Sequence, residues 1–224
     1  MRIAMIGATG LVGSLAAQRL LAQGHDVDAL LRRSIGLARP GWSEHVAPAE
    51  DWPAILPGLN PDAAVSALGT TMRQAGSKAA FRTVDFEMVV AFARAAAAAG
   101  ACRMVTVSSV GADRGSANFY LRTKGEMEAA LEGMGFERLD IFRPGLLRGP
   151  RGGDRRPGER IGIALSPVAN LFLRGRLDRY SAIDADVVAA AVASALREAE
   201  PGVFRHENRG IGALARTTLS SLPA

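Results

Sequence analysis

Ile3-Ala4-Met5-Ile6 runs directly into Gly7-Ala8-Thr9-Gly10-Leu11-Val12-Gly13, and Leu15-Ala16-Ala17 and Leu20-Leu21 follow at helical spacing. An apolar strand that breaks into three glycines at spacing three and then opens a helix is the start of a dinucleotide-binding βαβ unit. Each glycine has its own task. Gly7 permits the tight turn off the strand, Gly10 lets backbone approach a pyrophosphate, and Gly13 lets the helix lie close to the sheet. The helix N-terminus adds N–H donors and the positive end of a dipole. Gly-rich turns are common between strands and helices, so the triplet alone is weak; the strand before it and the helix behind it carry the reading. Gly7, Thr9, Gly10, Leu11, Val12 and Gly13 are therefore expected to bind a pyrophosphate.

The second strand bears on which dinucleotide. Gly24 ends the helix, Asp26 turns the chain, and Val27-Asp28-Ala29-Leu30-Leu31 reads as a buried strand. Where an NAD site would place an acidic residue for the ribose hydroxyls, this chain has Arg32-Arg33, and no carboxylate lies between Leu30 and Arg39. A guanidinium can hold a 2′-phosphate through two charge-assisted bonds, whereas a carboxylate would repel it. NADP is expected over NAD, with a solvated Arg pair at a strand end as the plain alternative.

Strands and helices alternate to about residue 143, which predicts a parallel sheet covered on both faces. A Pro- and Gly-rich stretch after the Arg pair reads as irregular, with a short strand near Glu44–Val46. Asp62–Leu68 reads as a strand ending at Gly69-Thr70-Thr71. A long helix over Lys78–Ala99 would set Phe81, Val84, Met88, Phe92 and Ala95 on one face. Arg103–Ser108 is a central strand, Phe119–Met134 a helix, and Arg138–Arg143 returns to the sheet. The division expected is a cofactor-binding core over residues 1–144, substrate-side helices and short strands over 145–216, and a frayed tail over 217–224. In the second part a helix is expected around Ile161–Leu173, a short strand over Tyr180–Ile183, and a helix over Asp184–Arg197 capped by Asp184.

With 224 residues the chain suffices for one domain with a sizeable core. Hydrophobic residues at 48% and a mean hydropathy of +0.10 fit a soluble α/β protein. The first strand starts at once, without a basic segment and apolar core ahead of it, and no run reaches the ~18 apolar residues of a membrane span. One cysteine, Cys102, cannot make an internal disulfide, so a cytoplasmic location is expected, with Cys102 as a small core-edge residue. His25, His45 and His206 show no ligand spacing, and no metal is expected. Trp42 and Trp52 read either as packing for the adenine side or as loop anchors. The net charge is +5 and the pI about 10.3, with basic residues concentrated between Arg148 and Arg179. Nucleic-acid binding would want interleaved aromatics or a known module, and neither is present. A solvated loop, or a rim attracting anionic cofactor and substrate, is the expected use.

Tyr120-Leu121-Arg122-Thr123-Lys124 puts a phenol and an ammonium one helical turn apart on one face, in a chain with two tyrosines and two lysines. A tyrosine of ordinary pKa ~10 becomes a usable acid/base when nearby positive charge favours phenolate. The same lysine can hold a nicotinamide ribose. Upstream, Ser108-Ser109 closes the central strand where a hydroxyl could bind a substrate carbonyl oxygen. Singly these are a core tyrosine, a surface lysine and two turn-forming serines; together, behind a dinucleotide fingerprint, they read as a catalytic set.

The glycine pattern with Ser109, Tyr120 and Lys124 resembles the short-chain dehydrogenase/reductase superfamily. Leu68-Gly69-Thr70-Thr71, Val107–Asp113, Tyr120-x-x-x-Lys124-Gly125-Glu126-x-Glu128, Phe142-Arg143-Pro144-Gly145 and His206-Glu207-Asn208-Arg209 narrow the likeness to the atypical members related to the HIV Tat-interacting oxidoreductase. The resemblance implies a Rossmann-type doubly wound parallel sheet with a small C-terminal substrate-side segment, NADP(H), and a Ser–Tyr–Lys site. Matching the strand favours Ser109 over Ser108. Two departures stand out: the Ser109–Tyr120 loop is about two residues shorter than in better-known members, and Asp85 stands where many carry Asn.

The expected function is an NADP(H)-dependent oxidoreductase acting on a small carbonyl or alcohol, as monomer or homodimer. Tyr120 would be the acid/base, Lys124 its modulator and a ribose ligand, and Ser109 the carbonyl anchor. Leu68, Gly69 and Thr70, with Pro144 and Gly145, would border the nicotinamide half, because ligands bind outside the carboxyl ends of the strands. The competing expectation is a cofactor-binding regulator without turnover, which the same fold would serve. A nucleotide-sugar epimerase is disfavoured by the short C-terminal segment.

Overall fold

In β1 (Arg2–Ile6), Ile3 and Met5 point to one face of the sheet and Ala4 and Ile6 to the other, and all four are fully buried. A strand apolar on both faces is one covered on both faces, as the near-continuous apolar runs require. The computed structural model describes residues 1–149 and 179–219. The remaining strands are β2 (Asp26–Leu31), β3 (Trp42–Val46), β4 (Ala63–Ser66), β5 (Arg103–Val107), β6 (Arg138–Phe142), the two-residue β7 (Leu147–Arg148) and β8 (Ile183–Asp184), and β9 (Gly202–His206). Seven of them form one parallel sheet in the order β3-β2-β1-β4-β5-β6-β9, and β7 pairs with β8 separately. This is a Rossmann-type α/β fold. The chain leaves β1 in one direction, through β2 to β3, and returns to build the other half from β4. The β1–β4 boundary is thus the switch point, with its crevice at the carboxyl ends.

The helices are α1 (Leu11–Ala22), α2 (Trp52–Leu59), α3 (Met72–Ala75), α4 (Lys78–Arg82), α5 (Met88–Ala98), α6 (Phe119–Glu132), α7 (Ala185–Ala195) and α8 (Asn208–Leu219). One layer joins Leu20 of α1 to Val188 and Val192 of α7 and Ile211 of α8, over Ile3, Val27, Val65 and Phe142. The other joins Leu56 of α2, Phe92 of α5, and Met127 and Leu131 of α6, over Ile6, Leu30, Met104 and Ile141.

Several expectations need correction. The Pro-rich stretch contains α2, because Pro53 occupies the first turn, where no hydrogen bond is lost, and Trp52 and Leu56 supply a buried face. The helix begun by α4 is joined to α5 through a π-helical turn, Thr83–Glu87, which adds a residue to the turn and shifts the phase. Asp85 and Val89 therefore take the core positions expected for Val84 and Met88. In the described part of the chain after residue 144, β9 extends the sheet edge, and α7 and α8 pack in the core layer beside α1. Asp184 stands at the cap of α7 without a capping hydrogen bond, its carboxylate lying 3.2 Å from Arg148 Nε instead. The helix α8 continues to Leu219, past the expected start of the tail. Cys102 is exposed rather than core-edge. The helix expected around residues 161–173 and the arginines between 151 and 176 lie outside the described residues.

A Cβ on Gly13 would stand 2.1 Å from the Gly7 carbonyl oxygen and 3.2 Å from Ala67 Cβ. Backbone cannot yield as a side-chain tip can, so Gly13→Ala is expected to destabilise the protein by about 2–3 kcal/mol. The effect should appear as a lower urea midpoint with an unchanged slope. A midpoint equal to wild type would mean that α1 does not lie against the β1 turn.

Candidate active site

The glycine-rich turn closes on itself and on β4. Gly7 has φ +78°, and a Cβ there would meet the Ala67–Leu68 peptide at 2.4 Å, so the turns after β1 and β4 touch. The Gly10 N–H donates to the Gly7 carbonyl at 3.0 Å. Gly10 caps α1 in extended conformation with no side-chain hydrogen bond. The first-turn N–H groups of Leu11, Val12 and Gly13 consequently have no acceptor among the described residues. Unfilled donors at a helix start, beside an exposed Thr9 and Gly10, fit the pyrophosphate of a dinucleotide.

Arg32 and Arg33 follow β2, both exposed and neither in an ion pair among the described residues. What shapes the loop behind them is a residue the sequence reading did not single out. Glu44 Oε2 accepts from Ser34 Oγ at 2.6 Å and from the Ile35 N–H at 3.1 Å; Oε1 accepts from the Leu37 N–H and from Trp42 Nε1, each at 3.1 Å. The Ser34 hydroxyl first, then the Trp42 indole, lower the Glu44 pKa from 4.5 to about 2. Trp42 and Trp52 are both loop anchors, since Trp52 Nε1 donates to the Ala47 carbonyl at 3.2 Å. No spacing rule links Glu44 to Ser34, because the contact is made across the β2–β3 connection.

The β4 turn carries Leu68, Gly69 and Thr70. The Thr70 N–H donates to Asp85 Oδ2 at 2.8 Å, and Lys124 Nζ lies 2.7 Å from Asp85 Oδ1. That second contact is a Coulombic approach without hydrogen-bond geometry. Both side chains are buried, at 5% and 0% exposure. Thus the structure brings Gly69, Thr70 and Lys124 together, and Asp85 joins them.

On α6, whose N-cap Asn118 accepts from the Leu121 N–H at 3.2 Å, Tyr120 is half-buried with its ring centroid 5.3 Å from that of Phe81. Its hydroxyl has no hydrogen bond among the described residues. The chain from Ser109 folds back onto the same helix: the Asp113 N–H donates to the Leu121 carbonyl at 3.1 Å. A Cβ on Gly125 would stand 2.3 Å from the Arg114 nitrogen, so only glycine lets this short loop lie on α6. The two serines differ. Ser108 is buried and its hydroxyl donates to Glu128, which also pairs with Arg143. Ser109 is half-buried and its hydroxyl makes only a 3.4 Å contact to the Val110 carbonyl. The hydrogen bonds that Arg143 donates to Glu128 raise the Arg143 pKa further above its ordinary value, so the guanidinium stays charged.

Beyond β6, the Pro144 carbonyl accepts from the Val110 N–H at 3.0 Å and the Gly145 N–H donates to Asn208 Oδ1 at 3.0 Å. Asn208 also donates to the Ser181 carbonyl at 2.9 Å, tying the late part of the chain to this turn. A Cβ on Gly149 would meet Leu11 at 3.0 Å, so β7 arrives beside the start of α1. A polar cleft of about 500 Å³ lined by Arg2, Asp28 and Trp42 lies at the amino ends of the strands, away from these residues. Among the described residues no group of three His, Cys, Asp or Glu is placed to hold a metal ion, and no helix is long and apolar enough to cross a membrane.

Comparison with known proteins fits this arrangement. Residues 7–161 match the family model described as NAD(P)H-binding, and the chain belongs to that family. It is similar to "Protein fmp52, mitochondrial" of Aspergillus niger, 35% identical over 202 residues that cover 86% of each chain. The protein of that name from Meyerozyma guilliermondii is 33% identical over 213 residues, covering 91% of this chain and 90% of its own. Among solved structures, the Bordetella bronchiseptica enzyme WbmH in complex with NAD+ superposes with a TM-score of 0.69 at 18% identity, covering 100% of this chain and 82% of that one. The UDP-glucose 4-epimerase of Thermotoga maritima gives 0.69 at 17% identity, covering 100% and 84%. These two show a shared fold. The cytoplasmic location expected from the single cysteine is overturned, because the curated relatives are named mitochondrial. Cysteine usage reports a reducing setting, which is not peculiar to the cytosol.

A carboxylate with a pKa of about 2 against an ordinary 4.5 contributes its bonds fully above 4.5 and loses them as the pH falls through 2. The Trp42 indole N–H resonance should therefore hold its position from neutral pH to below 4 and shift only near 2. A shift centred near 4.5 would show that Glu44 does not organise the loop.

Proposed function

We propose that the protein is an NADP(H)-dependent oxidoreductase of the short-chain dehydrogenase type, acting on a small carbonyl or alcohol. The observation that carries this reading is the buried Lys124 ammonium against the Gly69–Thr70 turn, one helical turn from a tyrosine whose hydroxyl has no partner among the described residues. The family model and the folds of the NAD-bound structures support a nicotinamide cofactor. When bound, that cofactor would supply the hydride-transfer chemistry.

The chain's own residues would do the rest. Leu11, Val12 and Gly13 would donate to the pyrophosphate from the first turn of α1, with Gly7, Thr9 and Gly10 shaping the approach. Leu68, Gly69, Thr70, Pro144 and Gly145 would border the nicotinamide half, and Lys124 would hold its ribose. Ser109 would hydrogen-bond the substrate oxygen; its hydroxyl is the freer of the two serines, since Ser108 is engaged with Glu128. Tyr120 would pass a proton between its phenol oxygen and the substrate oxygen, one helical turn from Lys124 on the same helix. Tyr120→Phe keeps the packing on Phe81 and removes only the hydroxyl. It should lower turnover on a carbonyl panel by on the order of a hundredfold or more with cofactor affinity unchanged. Undiminished turnover would remove Tyr120 from the mechanism.

Arg32 and Arg33, exposed and without an ion pair among the described residues, would hold the 2′-phosphate of NADP. Replacing both by alanine should weaken NADP(H) roughly ten- to a hundredfold and leave NAD(H) nearly unchanged. Calorimetry showing equal or tighter NAD binding in the unaltered protein would sink the NADP assignment.

A further inference from the structure

Asp85 is fully buried, and it carries a charge. Its place is the middle of the π-helical turn between α4 and α5, a local distortion found mostly where a side chain must be presented at an unusual position. From there its carboxylate ties three separate segments: the β4 turn through the Thr70 N–H, α6 through Lys124, and its own helix. Gly69 adds a second, independent constraint. A Cβ there would lie 3.4 Å from Asp85 Oδ1 and 3.7 Å from Lys124 Nζ, so the turn passes close over the pair. A buried ion pair seldom stabilises a fold more than apolar residues of the same volume would. The pair is thus better understood by what it does at the crevice than by what it adds to the core.

We propose that Asp85 is a positioning and charge-balancing residue of the cofactor site. It fixes Lys124 against the Leu68–Thr70 turn and cancels the lysine's charge where the nicotinamide half would lie. This rests on the dinucleotide-binding reading above and goes beyond it. An oxidised nicotinamide ring is cationic and a reduced one is neutral. An uncompensated ammonium at this buried position would repel the first and not the second. With Asp85 beside it, Lys124 can bind ribose hydroxyls without biasing the site toward reduced cofactor.

The test is direct binding of NADP+ and NADPH, by calorimetry and by quenching of protein fluorescence, to wild type, Asp85→Asn and Asp85→Asn/Lys124→Met. Asn keeps the volume and can still accept from Thr70, so the single variant changes charge alone. It should weaken NADP+ relative to NADPH by roughly five- to tenfold. The double variant, again neutral, should return that ratio to within about twofold of wild type while binding both forms more weakly. A single-variant ratio equal to wild type overturns the proposal, as does the same altered ratio in the double variant, which would indicate a structural effect. If Asp85→Asn strands the lysine and fails to fold, Lys124→Met alone must shift the ratio toward NADP+, and an unchanged ratio there overturns the proposal equally. Binding is read without turnover, so the outcome is independent of finding a substrate. Failure of wild type to bind either form would instead overturn the cofactor reading itself, and this inference with it.

Discussion

The Gly7 carbonyl occupies the space into which a side chain at Gly13 would project, with 2.1 Å between that oxygen and an ideal Cβ. This one close approach sets the distance between α1 and the sheet. It aims the first turn of α1 at the carboxyl ends of β1 and β4, and it leaves Ala67 and Leu68 of the β4 turn in contact with Gly7. The switch point of the sheet is therefore also the point where two functional turns meet. Leu20, Val188, Val192 and Ile211 then close the layer over α1, which explains why residues far along the chain belong to the core rather than to a cover.

A second theme is charge placed deep in α6. That helix buries Lys124 and Glu128 along with Met127 and Leu131, where an ordinary surface helix would bury only apolar residues. Each charge has a partner from another element: Asp85 of the π turn, itself bonded to the β4 turn through the Thr70 N–H, for Lys124, and Arg143 beyond β6 for Glu128, with Ser108 beyond β5 donating to Glu128. Buried charges need such partners, and the partners fix α6 relative to three strand ends. Tyr120 rides on the first turn of this pinned helix, and its position follows from that anchoring. The geometry separates Ser108, which serves the anchoring, from Ser109, which faces no such demand.

Much of this was legible in the residues. The strand Arg2–Ile6, the glycine turn and α1 follow from apolar runs and glycine spacing, since period and turn chemistry are local properties. So does the pairing of Tyr120 with Lys124 on one face. The π turn was not legible, because it changes the helical period that pattern reading assumes, and the expected core face therefore ran through Val84 and Met88 instead of Asp85 and Val89. Glu44 and Asn208 were hidden for another reason: their partners, Ser34 and Gly145, are brought to them only by the tertiary fold. The helix α2 was masked by Pro53 and Pro57, which pattern rules treat as breakers, although Pro53 sits in the tolerant first turn and the helix carries Pro57 within it.

The most direct test of the account is a crystal structure of the protein grown with NADP+. The pyrophosphate should accept from the N–H groups of Leu11, Val12 and Gly13, and the 2′-phosphate should lie between Arg32 and Arg33. The nicotinamide ribose should reach Lys124 Nζ with the Asp85 pair still intact. A dinucleotide bound elsewhere, or one whose nicotinamide end lies away from Lys124, would contradict the account.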